Sequence, residues 1–231
     1  MMRHIIEKIT SVAFYAGMDA CTSGINSGLM SHKNTIEEIA ARLQQAGYKG
    51  LFWQMDSNLI ESIWGHGAHK ELLQEMVLKP KHSELVRLLA SEVLYAKDAG
   101  YPPEDWKEPL AFIYARALTL SGKDERQVPP GNTWGFMYYN GNGGPNDYGP
   151  LGTHLMQTGV KAIPQLARLL DNSDILVYEG SEDATIGNGL QYRVKDAAAY
   201  YIGKLAGITV QFYQDYAKRD TEIEHLKQKI K

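Results

Sequence analysis

The chain has 231 residues, 44% of them hydrophobic and 22% charged, and this balance excludes a wholly disordered or collagen-like protein. Its 24 basic and 27 acidic side chains give a net charge of -3, so the chain lacks the basic excess of a non-specific nucleic-acid binder. The single cysteine, Cys21, excludes an intrachain disulfide and a cysteine-rich zinc site.

The N-terminal sequence predicts neither export nor membrane insertion. Glu7 and Lys8 interrupt the apolar run that a signal peptide requires. A membrane-spanning helix needs about 18 consecutive apolar residues, and the sequence contains no such run. We therefore expect a cytoplasmic protein of bacterial type, without a membrane partner.

Helical periodicity dominates the chain as far as Gly122. A helix is predicted over residues 35–46, because apolar side chains recur on one face and Asn34 with Glu37 forms a capping-box-like start. Gly47 follows at the position where a left-handed residue commonly ends a helix. Further helices are predicted from 56 or 57 to 65 or 67, over 69–78 and over 83–99. Another helix is predicted to open at Pro102 and Pro103 and to end near Gly122, and Pro109 leaves a later start at Glu108 open.

Residues 127–160 have a different composition, with glycine and proline throughout and Asp147 as the only charged residue. Aromatic side chains are interleaved with the glycines: Trp134, Phe136, Tyr138, Tyr139 and Tyr148. The scarcity of charge argues against a solvated linker, so the stretch is predicted to be an ordered loop pinned by aromatic side chains, or a short hairpin over 134–139. Within a single helical domain over 1–231, residues 127–158 are the candidate sub-boundary.

The sequence Asn-Gly-Asn-Gly-Gly-Pro-Asn-Asp over residues 140–147 allows three interpretations. A phosphate-cradling loop would end in Lys followed by Ser or Thr, and a calcium turn would need more than one carboxylate. A structural turn cluster is therefore favoured. The neighbouring Trp134, Tyr138 and Tyr139 are more typical of packing than of a ligand platform, but we keep them as candidate partner-binding residues.

The C-terminal part returns to helical periodicity, with helices predicted over 159–170, 192–205 and 219–229. No segment has the alternating apolar and polar residues, over about four to eight positions, that a sheet requires. The fold class is therefore predicted to be all-α.

Two of these helices carry a recognisable pattern. The first contains Ala-Ile-Pro-Gln-Leu-Ala-Arg-Leu-Leu-Asp over 162–171, and the second contains Val-Lys-Asp-Ala-Ala-Ala-Tyr-Tyr-Ile-Gly-Lys-Leu over 194–205. The small side chains of Ala197 and Ala198 allow two helices to approach closely. Together the helices resemble the pair that forms a HEAT-like repeat of the phycobilisome-lyase type. The resemblance implies a short irregular α-solenoid, or a helical bundle with one HEAT-like pair in its C-terminal part.

The sequence departs from the family pattern at two places. Lys195 stands where the family usually has arginine, and residues 172–191 separate the two helices where a short turn is normal. This insertion and its edges lack lysine and arginine and carry five acidic residues: Asp171, Asp174, Glu179, Glu182 and Asp183. We expect an exposed loop whose uncompensated carboxylates are either simply solvated or steer a basic protein partner. A metal site is disfavoured because the EF-hand spacing is absent.

Other candidates for chemistry are weak. His66 and His69 have no carboxylate at the spacing of a zinc protease, and the scattered histidines, including His154, are interpreted as surface residues. No nucleophile-elbow motif occurs. The sequence therefore predicts no metal and no cofactor.

The leading hypothesis is a non-catalytic HEAT-like adaptor that binds another protein, with a bacterial toxin-neutralising immunity protein as one specific version. The alternative is an enzyme on the same scaffold. HEAT-like repeats occur in bilin lyases, which would need a groove lined by Trp134, Tyr138 and Tyr139. They also occur in a DNA-alkylation glycosylase family, which the net charge of -3 disfavours.

Overall fold

The structure, a computed structural model, describes residues 32–33, 35–53, 57–120, 135–136, 138–139, 145–147, 149–178 and 182–231. The chain forms two compact units, Met1–Ala41 and Arg42–Lys231. In the first unit the described residues are helical, and Ile36 and Ile39 are buried. Cys21 and Asn34 lie outside the described residues.

The described part of the chain is predominantly helical, which confirms the all-α prediction. Helical backbone over 35–48, α1, leads into a π-helical turn at Lys49–Trp53. The helices that follow are α2 (Ser57–Trp64), α3 (Lys70–Leu78), α4 (Glu84–Lys97), α5 (Lys107–Leu120), α6 (Pro150–Gln157), α7 (Ile163–Ala167), α8 (Glu182–Leu190), α9 (Val194–Ala206) and α10 (Tyr216–Lys229). Short 3-10 turns lie at Gly65–Gly67, Glu104–Trp106 and Gly159–Ala162.

A minimal antiparallel ladder lies within the glycine- and proline-rich stretch. Its strands are β1 (Tyr138–Tyr139) and β2 (Pro145–Asp147), and Tyr138 pairs with Asp147. The predicted hairpin was placed over 134–139, whereas this ladder joins 138–139 to 145–147, and most of residues 127–148 lie outside the described part.

Two of the local signals that the sequence predicts are present in the structure. Ser83 begins α4, because its Oγ accepts a hydrogen bond from the Val86 N–H at 3.2 Å. Gly47 has the expected left-handed backbone, with φ of 61°, but helical backbone continues past it through residue 48 into the π-helical turn. In contrast, α6 was not predicted. Pro150 stands in its first turn, where the missing N–H is tolerated, and Leu151 and Leu155 are buried one turn apart.

The core of the second unit is assembled by successive helix pairs: α3 packs on α4, α4 on α5, α5 on α6 and α7, and α7 on α9. Leucine and alanine side chains dominate the buried set, which includes Leu73, Leu88, Leu89, Leu110, Leu118, Leu155, Leu166, Ala197 and Ala198. The two helices that carry the HEAT-like pattern, α7 and α9, are therefore direct neighbours.

A buried ion network joins α9 to α10. Asp196, in the first turn of α9, accepts hydrogen bonds from Arg193 Nη2 at 2.8 Å and from Arg219 Nη1 at 2.9 Å. Asp196 and Arg219 side chains are each only 1% exposed. Charged groups in such an environment must be paired, so this network fixes the position of α10 against the N-terminal end of α9.

Candidate functional sites

The insertion between α7 and α9 is more ordered than the loop we expected. Ile175 forms an antiparallel bridge with Arg193. The Leu176 N–H donates to the Tyr192 carbonyl at 2.8 Å, and the Val194 N–H donates to the Asp174 carbonyl at 2.9 Å. Residues 174–178 are therefore an extended segment, and α8 follows it. The prediction of a plain loop is wrong because it ignored these pairings with the start of α9.

Side chains of this segment alternate between the core and the solvent. Leu176 and Tyr178 are buried, whereas Ile175 is 50% exposed and Val177 is 44% exposed. Asp174 and Leu176 make the backbone hydrogen bonds to the start of α9. The N–H and C=O of Ile175, which lies between them, therefore point away from α9. No described residue hydrogen-bonds the backbone of Ile175 or Val177. We call residues 174–178, with these features, the apolar edge.

The C-terminal end of the apolar edge is held by α8. Asn188 makes a pair of hydrogen bonds with the backbone of Tyr178, accepting its N–H at 2.9 Å and donating to its carbonyl at 2.8 Å. A Cβ at Gly187 would lie 2.9 Å from the Tyr178 ring, so glycine is required there for this close packing. The edge is therefore a fixed surface, tied to α9 on one side and to α8 at its end.

The predicted acidic residues have different fates. Asp171 is exposed and accepts a hydrogen bond from Lys227 Nζ at 2.6 Å, which together with Glu224 raises the pKa of Lys227. The expectation that all five carboxylates are uncompensated is therefore wrong for Asp171, because the sequence did not show that α10 supplies a lysine. Asp174 is exposed at the start of the apolar edge.

The remaining predicted site residues lie in or near α8. Glu182 and Asp183 are the first two residues of α8, and Tyr138 and Tyr139 form β1, which lies beside α8. The structure thus brings the aromatic and acidic segments together at the level of the backbone. Glu179 and Trp134 lie outside the described residues.

A second site, which the sequence analysis missed, is built around Glu92. This α4 carboxylate is 3% exposed, and its Oε1 accepts hydrogen bonds from the Tyr114 hydroxyl and from His154 Nδ1, the latter at 2.7 Å. The Ser91 hydroxyl extends the network, lying 3.1 Å from the Tyr114 hydroxyl and 2.8 Å from that of Tyr101. Helices α4, α5 and α6 thus converge on one carboxylate.

Glu92 and His154 line a pocket of about 260 Å³ whose other walls are Tyr48, Phe52, Tyr95, Ala96 and Pro150. The rings of Tyr95 and His154 are stacked, 3.6 Å apart and nearly parallel. Tyr48, the last residue of α1, and Phe52, in the π-helical turn, also line the pocket, with ring centroids 5.0 Å apart. Such turns occur often at functional sites. We call this cavity the Glu92 pocket.

Electrostatics keep the tyrosines of this site protonated. Burial, followed by the nearby Glu92 carboxylate, raises the pKa of Tyr48, Tyr95 and Tyr114. Because these hydroxyls stay neutral, they add no negative charge to the site, and the Tyr114 hydroxyl can donate to the carboxylate.

One signal in the sequence could have pointed to this site. Glu92 stands four residues after Leu88 and three after Leu89, on the apolar face of α4. A carboxylate in a buried stripe is unusual and calls for a partner. The partner itself could not be predicted, since His154 lies on α6, far away in sequence, and it was interpreted as a surface residue.

Comparison with protein-family models, with curated proteins and with solved structures gives no match. The HEAT-like resemblance thus rests on the residues of α7 and α9 alone. Across the described ranges, no helix is long and apolar enough to cross a membrane. The same ranges contain no group of three or more histidine, cysteine or carboxylate side chains arranged to hold a metal ion.

Proposed function

We propose that this protein is a non-catalytic, cytoplasmic binding module that captures another protein through the apolar edge and the acidic start of α8. The observation that carries the proposal is the pair Ile175 and Val177, whose apolar side chains are exposed and whose own backbone groups have no partner among the described residues. Exposed apolar edges are usually blunted by lysine, proline or a bulge, because they pair with other chains.

The chemistry of the edge defines the partner. An extended peptide can add a strand to such an edge, so that backbone hydrogen bonds give affinity and alternate side chains give specificity. Asp174 is the first residue of the edge, and Glu182 and Asp183 begin the helix that follows it. These negative charges favour a partner segment with basic residues beside its apolar ones.

The biological role that we propose follows from the HEAT-like resemblance. HEAT-like helix pairs serve as adaptors and scaffolds, and an acidic single-chain binder of a basic toxin would act as an immunity protein. In that version the apolar edge and the acidic residues occlude a basic surface of the toxin.

A pair of matched valine substitutions tests the edge. Val177→Lys places a charge on the apolar edge, whereas Val160→Lys makes the same change at a valine that is 64% exposed elsewhere in the chain. In a pull-down from host lysate, we expect Val177→Lys to lose a partner that the wild type and Val160→Lys retain. Both variants should keep the wild-type melting midpoint, because both positions are exposed.

The purified partner then allows the charge hypothesis to be tested. Replacing Glu179, Glu182 and Asp183 by their amides should slow association and flatten its dependence on salt, since salt screens the attraction between charges over about 8–10 Å. Equal affinity of the partner for Val177→Lys and for the wild type would refute the proposal that the apolar edge binds it. An association rate unaffected by both salt and the triple change would refute the steering role of the carboxylates.

A further inference from the structure

We propose that the Glu92 pocket binds the ammonium group of a small primary amine or of a lysine side chain, with Glu92 and His154 as the acceptors. This site shares no residue with the apolar edge and does not depend on the function proposed above. The proposal rests on three features of the pocket: the hydrogen-bonding state of its polar groups, the nature of its walls and its size.

The polar groups of the pocket offer acceptors. The two hydrogen bonds to Glu92 both go to Oε1, and no described residue donates to its Oε2. In the neutral form of His154, donation from Nδ1 to Glu92 leaves a lone pair on Nε2. Nε2 has no hydrogen-bond partner among the described residues. The pocket is therefore complementary to a ligand that donates.

The charge of the pocket calls for a cation. Within the described chain, no lysine or arginine forms an ion pair with Glu92, and the histidine is its one potential counter-charge. A buried carboxylate without a fixed cation is costly, so a ligand cation that replaces water there gains more than it would at the surface. An ammonium group can donate to both Glu92 Oε2 and His154 Nε2.

The walls suit the remainder of such a ligand. Tyr48, Phe52 and Tyr95 present neutral aromatic rings, which attract cations through their π faces. The methylene groups of an alkyl chain can pack on Ala96 and Pro150, which are exposed at the mouth of the pocket. A ligand with a cationic head group rich in N–H donors and an apolar stem is an alkylamine.

The volume limits the ligand to a small one. Pockets for drug-sized molecules measure about 300–1,000 Å³. The Glu92 pocket, at about 260 Å³, lies just below that range and opens to solvent. It therefore accommodates a single short amine or one inserted side chain rather than a large cofactor.

Calorimetric titration of the full chain with three ligands of equal length tests the proposal. We expect n-butylammonium to bind at least about tenfold more tightly than n-butanol or n-butyrate, since only the first is a cation with N–H donors. An acetylated and amidated tripeptide with a central lysine forms a second arm. If it binds more tightly than the free amine, the natural source is a lysine side chain, and the opposite order indicates a small metabolite.

Two matched variants of α4 test whether Glu92 is the carboxylate that binds the ammonium group. Glu92→Gln should weaken n-butylammonium binding by at least about tenfold, whereas Glu84→Gln, which changes a carboxylate of α4 paired with Arg116, should leave it unchanged. Equal affinities for n-butylammonium and n-butanol, or equal effects of the two variants, would overturn the proposal. So would the absence of binding by both amine arms.

A measurement on the wild type covers the case in which Glu92→Gln does not fold. In nitrogen-15 NMR spectra, n-butylammonium should shift the His154 Nε2 resonance, and n-butanol should leave it in place. His82, another histidine of the chain, lies outside the pocket lining and provides the internal control. A spectrum in which His154 does not respond to the amine would overturn the proposal independently of any variant.

Discussion

The buried network around Asp196 allows a sharp prediction about stability. Asp196→Ala removes the carboxylate that pairs with two guanidinium groups, at 2.8 Å from Arg193 Nη2 and 2.9 Å from Arg219 Nη1. Arg193 retains Asp220, 2.9 Å away, but Arg219 is left with carbonyl oxygens of Leu190 and Gln214 as its acceptors. The variant therefore leaves a buried cation without its counter-charge.

The expected magnitude follows from this geometry. Removing one partner of a buried ion pair costs about 3–5 kcal/mol, because the other charge stays buried and uncompensated. Asp171→Ala is the matched control, since Asp171 also pairs with α10, through Lys227, but its side chain is 86% exposed. Exposed pairs contribute less than about 1 kcal/mol to stability. The loss of unfolding free energy should therefore be severalfold larger for Asp196→Ala than for Asp171→Ala.

Urea unfolding monitored by circular dichroism measures both effects. We expect the Asp196→Ala midpoint to fall sharply with the slope unchanged, and the Asp171→Ala midpoint to stay near that of the wild type. An Asp196→Ala loss below about 1 kcal/mol would contradict the prediction, because it would mean that water solvates Arg219 in the native state.

Two further predictions concern packing and pH. Ala198→Leu should overpack the α7–α9 contact and cost about 1–3 kcal/mol, whereas Ala206→Leu at the exposed end of α9 should cost little; thermal unfolding distinguishes them. The hydrogen bond from Lys70, 2.8 Å away, lowers the pKa of Asp98, so its stabilising effect is present above the unfolded pKa and is lost as pH falls through the lower folded pKa. In Asp98→Asn, the unfolding free energy should therefore fall less steeply with pH below about pH 4 than in the wild type. An equally steep fall in both proteins would show that the ion pair is not formed in solution.

Local chemistry explains why most helices could be predicted from the sequence. Ser83 carries a side chain that satisfies a free N–H of the first turn, and Gly47 adopts a left-handed backbone one residue before α1 gives way to the π-helical turn. Such signals act over three or four residues and need no knowledge of the rest of the fold. They therefore indicate where helices begin and end, but not which helices meet.

The two helices that were missed depend on contacts with distant parts of the chain. In α8, Gly187 and Gly189 lower the intrinsic helix propensity, and Gly187 is explained only by the ring of Tyr178 that packs on it. In α6, glycine and proline neighbours concealed a short helix whose Leu155 side chain is buried. Tertiary packing overrides local preference in both cases.

The candidate sites were predictable to different degrees for the same reason. The acidic composition of residues 172–191 is visible in the sequence, but the alternation of Ile175 and Val177 with buried neighbours becomes meaningful only once Arg193 is known to be the bridge partner. The pairing of Glu92 with His154 is entirely tertiary. A run of charge can be found from composition, whereas a hydrogen-bonded pair between α4 and α6 requires the fold.

The two proposed sites rely on different physics, and salt separates them. Asp174, at the start of the apolar edge, is exposed, so its attraction for a basic partner is screened within about 8 Å at physiological ionic strength. Glu92 is 3% exposed, and an ammonium group beside it is shielded from most of the ionic atmosphere. Raising the salt concentration should therefore slow association at the apolar edge while leaving amine affinity in the Glu92 pocket nearly constant. Because no residue is common to the two sites, Val177→Lys should weaken only partner binding, and Glu92→Gln should weaken only amine binding.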